Sequence, residues 1–248
     1  MRKIVGILSV LFLISVLTIG NTYANNSIPI TAEQTFDAYA NQEDPTTGMP
    51  ANVAIIDVRT PAEYSWVGSC AQVEKIIKMN EEEIIPYNGK VQLSGKTGLL
   101  KFKIVKRGIL LPGFLHISNV KKIETTPISK NIPYFTWDNK TCGKVGNENF
   151  VSEMEALASE GVDVIIMMCR SGKRSSIAEF DFSLFQGVYE MDQPDGQNGR
   201  GGFQGSNYDD KYNGYRGYPG RKTFYQEHES VSWSAAGLPV HIGWCPVD

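Results

Sequence analysis

Five apolar residues, Val164-Ile165-Ile166-Met167-Met168, run unbroken into Cys169 and then into Arg170-Ser171-Gly172-Lys173-Arg174-Ser175-Ser176. Such a run has no polar face to offer water, so it predicts a strand buried on both sides in a parallel sheet. Parallel strands need crossover connections, which commits the chain to an α/β architecture. A helical pattern is expected from Ser175 or Ser176, with Ile177, Phe180 and Leu184 on one face and Gly187 as its C′ residue. Cys169 is thereby expected at the carboxyl end of a central strand, just ahead of a helix N-terminus.

That position bears on chemistry because the thiolate, not the thiol, is the nucleophile. Unpaired N–H groups at a helix start favour negative charge. Arg170, Lys173 and Arg174 add full positive charges within the same loop. Together they are expected to favour the Cys169 thiolate and to cradle an anion before it. The plainer reading is an inert buried cysteine at a strand end. Three cations and a glycine in the next five residues weigh against it.

The segment Cys-Arg-Ser-Gly-Lys-Arg-Ser after a hydrophobic strand resembles the active-site loop of the rhodanese family of sulfurtransferases. Upstream, Val53-Ala54-Ile55-Ile56-Asp57-Val58-Arg59-Thr60-Pro61-Ala62-Glu63-Tyr64 resembles that family's hydrophobic strand followed by Asp-Val-Arg and Glu-Tyr. Near the end, Ser232-Trp233-Ser234-Ala235-Ala236-Gly237-Leu238-Pro239-Val240 is similar to its closing Trp-x-x-x-Gly-x-Pro. The resemblance covers most of the chain beyond residue 24 and is interrupted by insertions at about 69–112 and 193–221. It implies one rhodanese-like domain over 25–248, a three-layer α/β fold whose central, mostly parallel sheet is flanked by helices, with an inserted β-hairpin region.

The resemblance also implies a reaction. Sulfane sulfur would pass from thiosulfate or polysulfide to cyanide or a small thiol through a persulfide on Cys169, with no cofactor and no metal. Arg170, Ser171, Gly172, Lys173, Arg174 and Ser175 would bind the donor. Asp57 and Arg59 would hold the loop and orient charge around it; a local ion pair or turn cap is the equal alternative. Relatives that handle phosphate or arsenate resemble Cys-x5-Arg, whereas Cys169 to Arg174 is the shorter Cys-x4-Arg. Loop length thus favours sulfur over phosphatase or arsenate-reductase chemistry. A non-catalytic sulfur carrier or binding module, with a protein as sulfur acceptor, is the third reading.

The N-terminus reads as a processing segment. Arg2 and Lys3 precede an apolar run over 4–19, and Thr22-Tyr23-Ala24 offers a small-residue cleavage site. Removing residues 1–24 leaves 248 − 24 = 224 residues and takes the formal charge from −3 to −5. That charge gives no electrostatic case for nucleic acid. The expected location is periplasmic or secreted, with no stable membrane insertion after cleavage. In an oxidising compartment cysteines tend to pair. With Cys169 reserved, Cys70–Cys142 is the favoured pair and Cys245 the rival partner.

Elsewhere, Thr31 and Gln34 form a capping-box pattern that predicts a helix with Phe36, Tyr39 and Ala40 towards the core. Pro61 suits the first position of a short helical turn. Residues 90–93 and 101–106 alternate about Ser94-Gly95-Lys96-Thr97-Gly98, a β-hairpin pattern. Residues 112–120 read as a diverged remnant of the family's Gly-His-Ile-Pro-Gly-Ala segment, followed by Asn131-Ile132-Pro133. His116 there invites catalysis, though a lone histidine is more often structural. A helix is expected over 147–159, a strand over 187–192 and a helix over 222–236. The glycine-rich stretch 192–221 reads as an ordered loop or a lid. Asp192, Asp195 and Asn198 lack the spacing of a calcium loop.

Overall fold

The computed structural model describes residues 27–94, 97–170, 172, 174–178, 180–192, 202–204, 232–234 and 236–242. The chain runs through β1 (Ile28–Ile30), α1 (Ala32–Asn41), β2 (Val53–Asp57) and α2 (Pro61–Val67). An antiparallel region follows: β3 (Ser69–Lys78), β4 (Glu83–Ile84), β5 (Val91–Ser94), β6 (Leu99–Lys106), β7 (Ile109–His116) and β8 (Val120–Pro127). Then come β9 (Ser129–Asn131), a hairpin of β10 (Phe135–Asp138) and β11 (Gly143–Gly146), α3 (Phe150–Ser159), β12 (Val164–Met168), β13 (Gly187–Met191) and β14 (Val240–His241).

The fold is mixed α/β. Five parallel strands in the order β1-β13-β12-β2-β9 form its central sheet, and small antiparallel sheets are built onto it. Every residue of β12 is buried, as an unbroken apolar run requires. Pleating sends alternate residues to opposite faces. Ile55, Val164, Ile166 and Met168 pack with Phe36 of α1 and with Trp233. Ile56, Ile165, Met167 and Cys169 pack with Phe150, Met154 and Leu157 of α3.

Local chemistry explains the helix starts. Thr31 and Gln34 close the capping box of α1, and Phe36 and Ala38 are buried while Tyr39 and Ala40 are partly so. Thr60 and Glu63 close a second box at α2, with Pro61 in its first turn. Helix α3 begins at Phe150, three residues later than the pattern predicts. The reason is Asn147, whose Nδ2 donates to the Pro133 carbonyl and whose Oδ1 accepts from the Asn149 N–H, so it ties down the approach instead of continuing the helix.

The hairpin pattern is met by β5 and β6, paired antiparallel from Val91↔Phe102 to Ser94↔Leu99, and β7 adds a third strand. A separate small core of Val73, Ile76, Val91, Leu100 and Phe102 supports it. Residues 112–120, expected as a family loop, are instead the end of β7, a 3-10 turn and the start of β8. The chain regains the parallel sheet only at β9. His116 is exposed there, and its ring accepts from the Ser118 N–H as a turn cap.

The helix expected after Cys169 is not formed. Two 3-10 turns, Ser175–Ile177 and Phe182–Leu184, stand in its place, with Ala178 and Asp181 extended between them. Asp181 takes the Ser183 N–H onto its carboxylate, which starts a new turn. The buried residues are Ala178 and Phe185, with Phe180 and Phe182 stacked beside them, whereas Ile177 is exposed. Gly187 opens β13 in place of closing a helix. The cleavage site at residue 24 and most of 222–236 lie outside the described residues.

Candidate functional site

Sheet order singles out one crevice. From β2 the chain goes outward to β9, while from the adjacent β12 it goes the other way to β13. Ligands of open α/β sheets bind beyond the carboxyl ends of strands at such a switch point. Met168 lies in register with Asp57, and the Val58 N–H donates to the Met168 carbonyl at 2.9 Å. Asp57-Val58-Arg59 and the loop after Cys169 are therefore brought side by side.

Cys169 is 1% exposed and packs among the residues facing α3. The expected thiol at an open mouth is thus not what the structure holds. On its polar side, Sγ accepts the Arg174 N–H at 3.2 Å, and the Ser175 hydroxyl lies 3.8 Å away. That hydroxyl donates to the Gly172 carbonyl at 2.7 Å, which fixes the loop's curvature. With no α-helix following, the N–H that meets the sulfur belongs to the loop itself and owes little to a macrodipole.

Arg174 is more neutralised than the sequence suggests. Arg174 forms a two-bond fork on Glu63, Nη1–Oε2 at 2.6 Å and Nη2–Oε1 at 2.8 Å. Burial acts to raise the Glu63 pKa, but the Arg174 fork and the bonds from Thr60 outweigh it and hold it at about 2. Ser171 and Lys173 lie outside the described residues. Gly172 adopts a φ of +88°, and a Cβ there would stand 2.5 Å from the Asp192 carboxylate. Asp192 is therefore pressed against the loop as a second, unforeseen carboxylate.

Asp57 and Arg59 form a buried ion pair. Arg59 Nε reaches both carboxylate oxygens at 2.9 and 3.0 Å, Nη2 reaches Oδ2 at 2.5 Å, and Nη2 also donates to the Gly68 carbonyl at 2.6 Å. Burial works against the guanidinium's charge and Asp57 more than offsets it, so the Arg59 pKa is raised. Asp57 also takes the Arg59 backbone N–H, and Asn131 Nδ2 donates to the carbonyls of Asp57 and Arg59. Ion pair and turn cap are both realised here.

Residues 202–204 lie across this floor. Phe203 and Gln204 donate their N–H groups to the carbonyls of Cys169 and Arg170, at 2.7 and 2.9 Å. Gly202, at a φ of +73°, sits where a Cβ would meet the Cys169 carbonyl oxygen at 2.6 Å, so only glycine allows the approach. The Phe203 ring centre is 4.2 Å from the Arg59 guanidinium carbon. Trp233 and Ser234 donate N–H groups to Gly202 and Phe203, which ties the closing motif to the strap. The rest of 193–221 lies outside the described residues, Asp195 and Asn198 with it.

The favoured Cys70–Cys142 disulfide is absent. Cys70 is a free thiol, wholly buried in β3, and Cys142 is a free thiol on the exposed turn between β10 and β11. Burial and Asp57 push the Cys70 thiol up, with Arg59 opposing them. Cys70 belongs to the core on the α1 face of the sheet and Cys169 to the core on the α3 face. The two sulfurs are on opposite sides of the central sheet. Cys245 lies outside the described residues.

Among the described residues, no cluster of three histidine, cysteine or carboxylate groups could hold a metal ion, and no helix is long and apolar enough to cross a membrane. No family model matches the chain, and neither the curated proteins nor the solved structures searched contain a match.

Two carboxylates, Glu63 beside the cysteine loop and Glu190 in β13, give opposite pH signatures. Glu63 is depressed, so its stabilisation is present above its unfolded pKa and is lost as pH falls towards about 2. Glu190 is buried with Oε2 unpartnered, and burial, then Asp192, raise its pKa to about 7. Its share of stability is present below the unfolded pKa and is lost as pH rises through 7. Urea unfolding is expected to show maximal stability near pH ~5. Glu190→Gln should remove the decline on the alkaline side, a gain on the order of 1–2 kcal/mol at pH ~8 once partial solvent screening is allowed for. An unchanged alkaline limb would place Glu190 in water.

Proposed function

We propose that the chain is a sulfurtransferase of the rhodanese-like type, an exported three-layer domain that carries sulfane sulfur on Cys169. The observation that carries this reading is the Arg174 N–H aimed at Cys169 Sγ from 3.2 Å, at the switch point of a parallel sheet. An N–H so placed stabilises the thiolate before transfer and the persulfide after it. The thiolate attacks the outer sulfur of a polysulfide or persulfide. The S–S bond behind that sulfur breaks, and the shortened thiolate leaves with the bonding pair. A thiol acceptor, attacking as its thiolate, then takes the outer sulfur as a new persulfide and returns Cys169 to its thiolate.

Electrostatics bear on the donor. A sulfonate or phosphate dianion needs uncommitted positive charge, and here Arg174 is held by Glu63 while Asp192 lies against Gly172. Persulfides, which carry one charge, and polysulfides, whose two charges lie at opposite ends of a sulfur chain, fit this floor better than the compact dianions thiosulfate or a phosphate ester. Donor entry requires the loop to shift, because Cys169 is buried in the resting fold.

Intact mass spectrometry tests the reading. Incubation with polysulfide should add roughly 32 Da, one sulfur atom, reversed by a thiol acceptor. Loading by thiosulfate should be slower. No loading with either donor, or hydrolysis of aryl phosphates in its place, would transfer the loop to oxyanion chemistry.

A further inference from the structure

The three-stranded sheet of β5, β6 and β7 has no part in the floor described above, and its outer edge is unusual. Strand β7 is the free edge, and Ile109, Leu110, Leu111 and Phe114 on it are exposed, Ile109 at 62% and Phe114 at 60%. Val105, opposite Leu110 in register, is exposed too. Natural sheets blunt such edges with charge or cover them, so a bare apolar edge of this length calls for an occupant.

Charge says what kind of occupant. Between Glu83 and Glu124 the sequence holds no acidic residue, although the whole chain is acidic at −3. Lys90, Lys121 and Lys122 have carboxylate partners in Asp37, Glu81 and Glu124. Among the described residues, Lys101, Lys103, Lys106 and Arg107 have no ion-pair partner, and all four are exposed on β6 and its turn. Arg107 and Gly108, at φ of 53° and 76°, make a tight hairpin turn that presents this mixed tip outward.

We infer that the β6–β7 hairpin is a docking finger for an anionic phospholipid surface. A nucleic acid would use the lysines and leave the aliphatic side chains in water. An uncharged apolar partner would strand the lysines. A second copy paired along β7 would gather identical cations with nothing to neutralise them. At a membrane surface the lysine heads lie among lipid phosphates while their stems and the leucines enter the hydrocarbon margin. The attachment is peripheral, and each cation adds to it until salt screens it.

The test uses the chain left by cleavage after Ala24, residues 25–248, with phosphatidylcholine vesicles, with and without phosphatidylglycerol, read by flotation. Wild type should float with the anionic vesicles and be released by salt. The triple variant Lys101→Glu, Lys103→Glu, Lys106→Glu should bind them at least about a hundredfold more weakly. The apolar residues 4–19 are in neither chain, so the difference reports the hairpin alone. Thermal unfolding of the triple variant should match wild type, since the changed side chains are exposed. In a second arm, Leu110→Trp should be quenched by brominated lipid chains. Equal flotation of wild type and triple variant, a Leu110→Trp signal untouched by brominated lipid, or lipid-independent self-association lost on Leu110→Ser would each overturn the inference.

Discussion

Asp57→Ala is expected to cost about 3–5 kcal/mol of folding stability, the typical loss when one member of a buried ion pair is removed. The effect is large because of what remains. Arg59 is 1% exposed, three of its bonds go to the Asp57 carboxylate, and its Nη1 already has no partner. Without Asp57 the guanidinium keeps one hydrogen bond, to the Gly68 carbonyl, and the face of Phe203. A guanidinium cannot shed its proton to escape that desolvation. Unfolding in urea should show a lower midpoint with an unchanged slope. The double variant Asp57→Leu, Arg59→Met should recover most of the loss, since replacing both charges with apolar groups removes the desolvation penalty as well as the attraction. A loss below about 1 kcal/mol in the single variant would mean that the pair behaves as a solvated surface bridge.

The same pair has a consequence for the site. Phe203 rests on Arg59, and its backbone N–H holds the Cys169 carbonyl. A guanidinium that moves towards water takes away the surface on which the strap lies. Asp57 and Arg59 are thus linked to the cysteine loop through residues 202–204.

What could be read in the sequence was local. The apolar runs that became β2 and β12 and the Thr31/Gln34 capping box each lie within a few consecutive residues, whereas the Thr60/Glu63 box at α2 emerged only in the structure. The β5–β6 hairpin was legible for the same reason. Spacing misled after Cys169. Ile177 and Leu184 share a helical face with Phe180, yet the aromatic residues Phe180, Phe182 and Phe185 find one another in an irregular segment and leave Ile177 in water. Tertiary packing of three rings outweighed a periodicity that rested on three residues.

The electrostatics of the site were illegible for a different reason. Arg174 and Glu63 are 111 residues apart, and nothing in either segment announces the partner. In the sequence Glu63 stands out only as half of a Glu-Tyr pair. Asp192 sat in a stretch whose composition suggested turns, and only the β12–β13 pairing carries it to Gly172. Counting Arg174 as a bare cation overstates the positive charge it offers Cys169. The pairing of Cys70 failed on similar ground, because β14 brings Val240, not another cysteine, opposite it.

Cys169→Ser should abolish both persulfide loading and sulfur transfer, lowering turnover by at least roughly a thousandfold, as loss of a nucleophile does elsewhere. Serine keeps an acceptor for the Arg174 N–H at nearly the same place, so the loop should survive the change. Its thermal unfolding should stay within about 1 kcal/mol of wild type, which separates lost chemistry from lost fold. Cys142→Ser, on an exposed turn, supplies the matching control and should load normally. The comparison is decisive because the other described thiol is on the wrong side of the sheet: Cys70 packs against the α1 face and cannot inherit the sulfur from Cys169. Loading that persists in Cys169→Ser would locate the carrier elsewhere and leave Cys169 as a core residue with two polar neighbours, the Arg174 N–H and the Ser175 hydroxyl. Loading that vanishes in Cys169→Ser and persists in Cys142→Ser would mean that a thiol buried in the resting fold is reached by its donor, so the cysteine loop must open on the timescale of turnover.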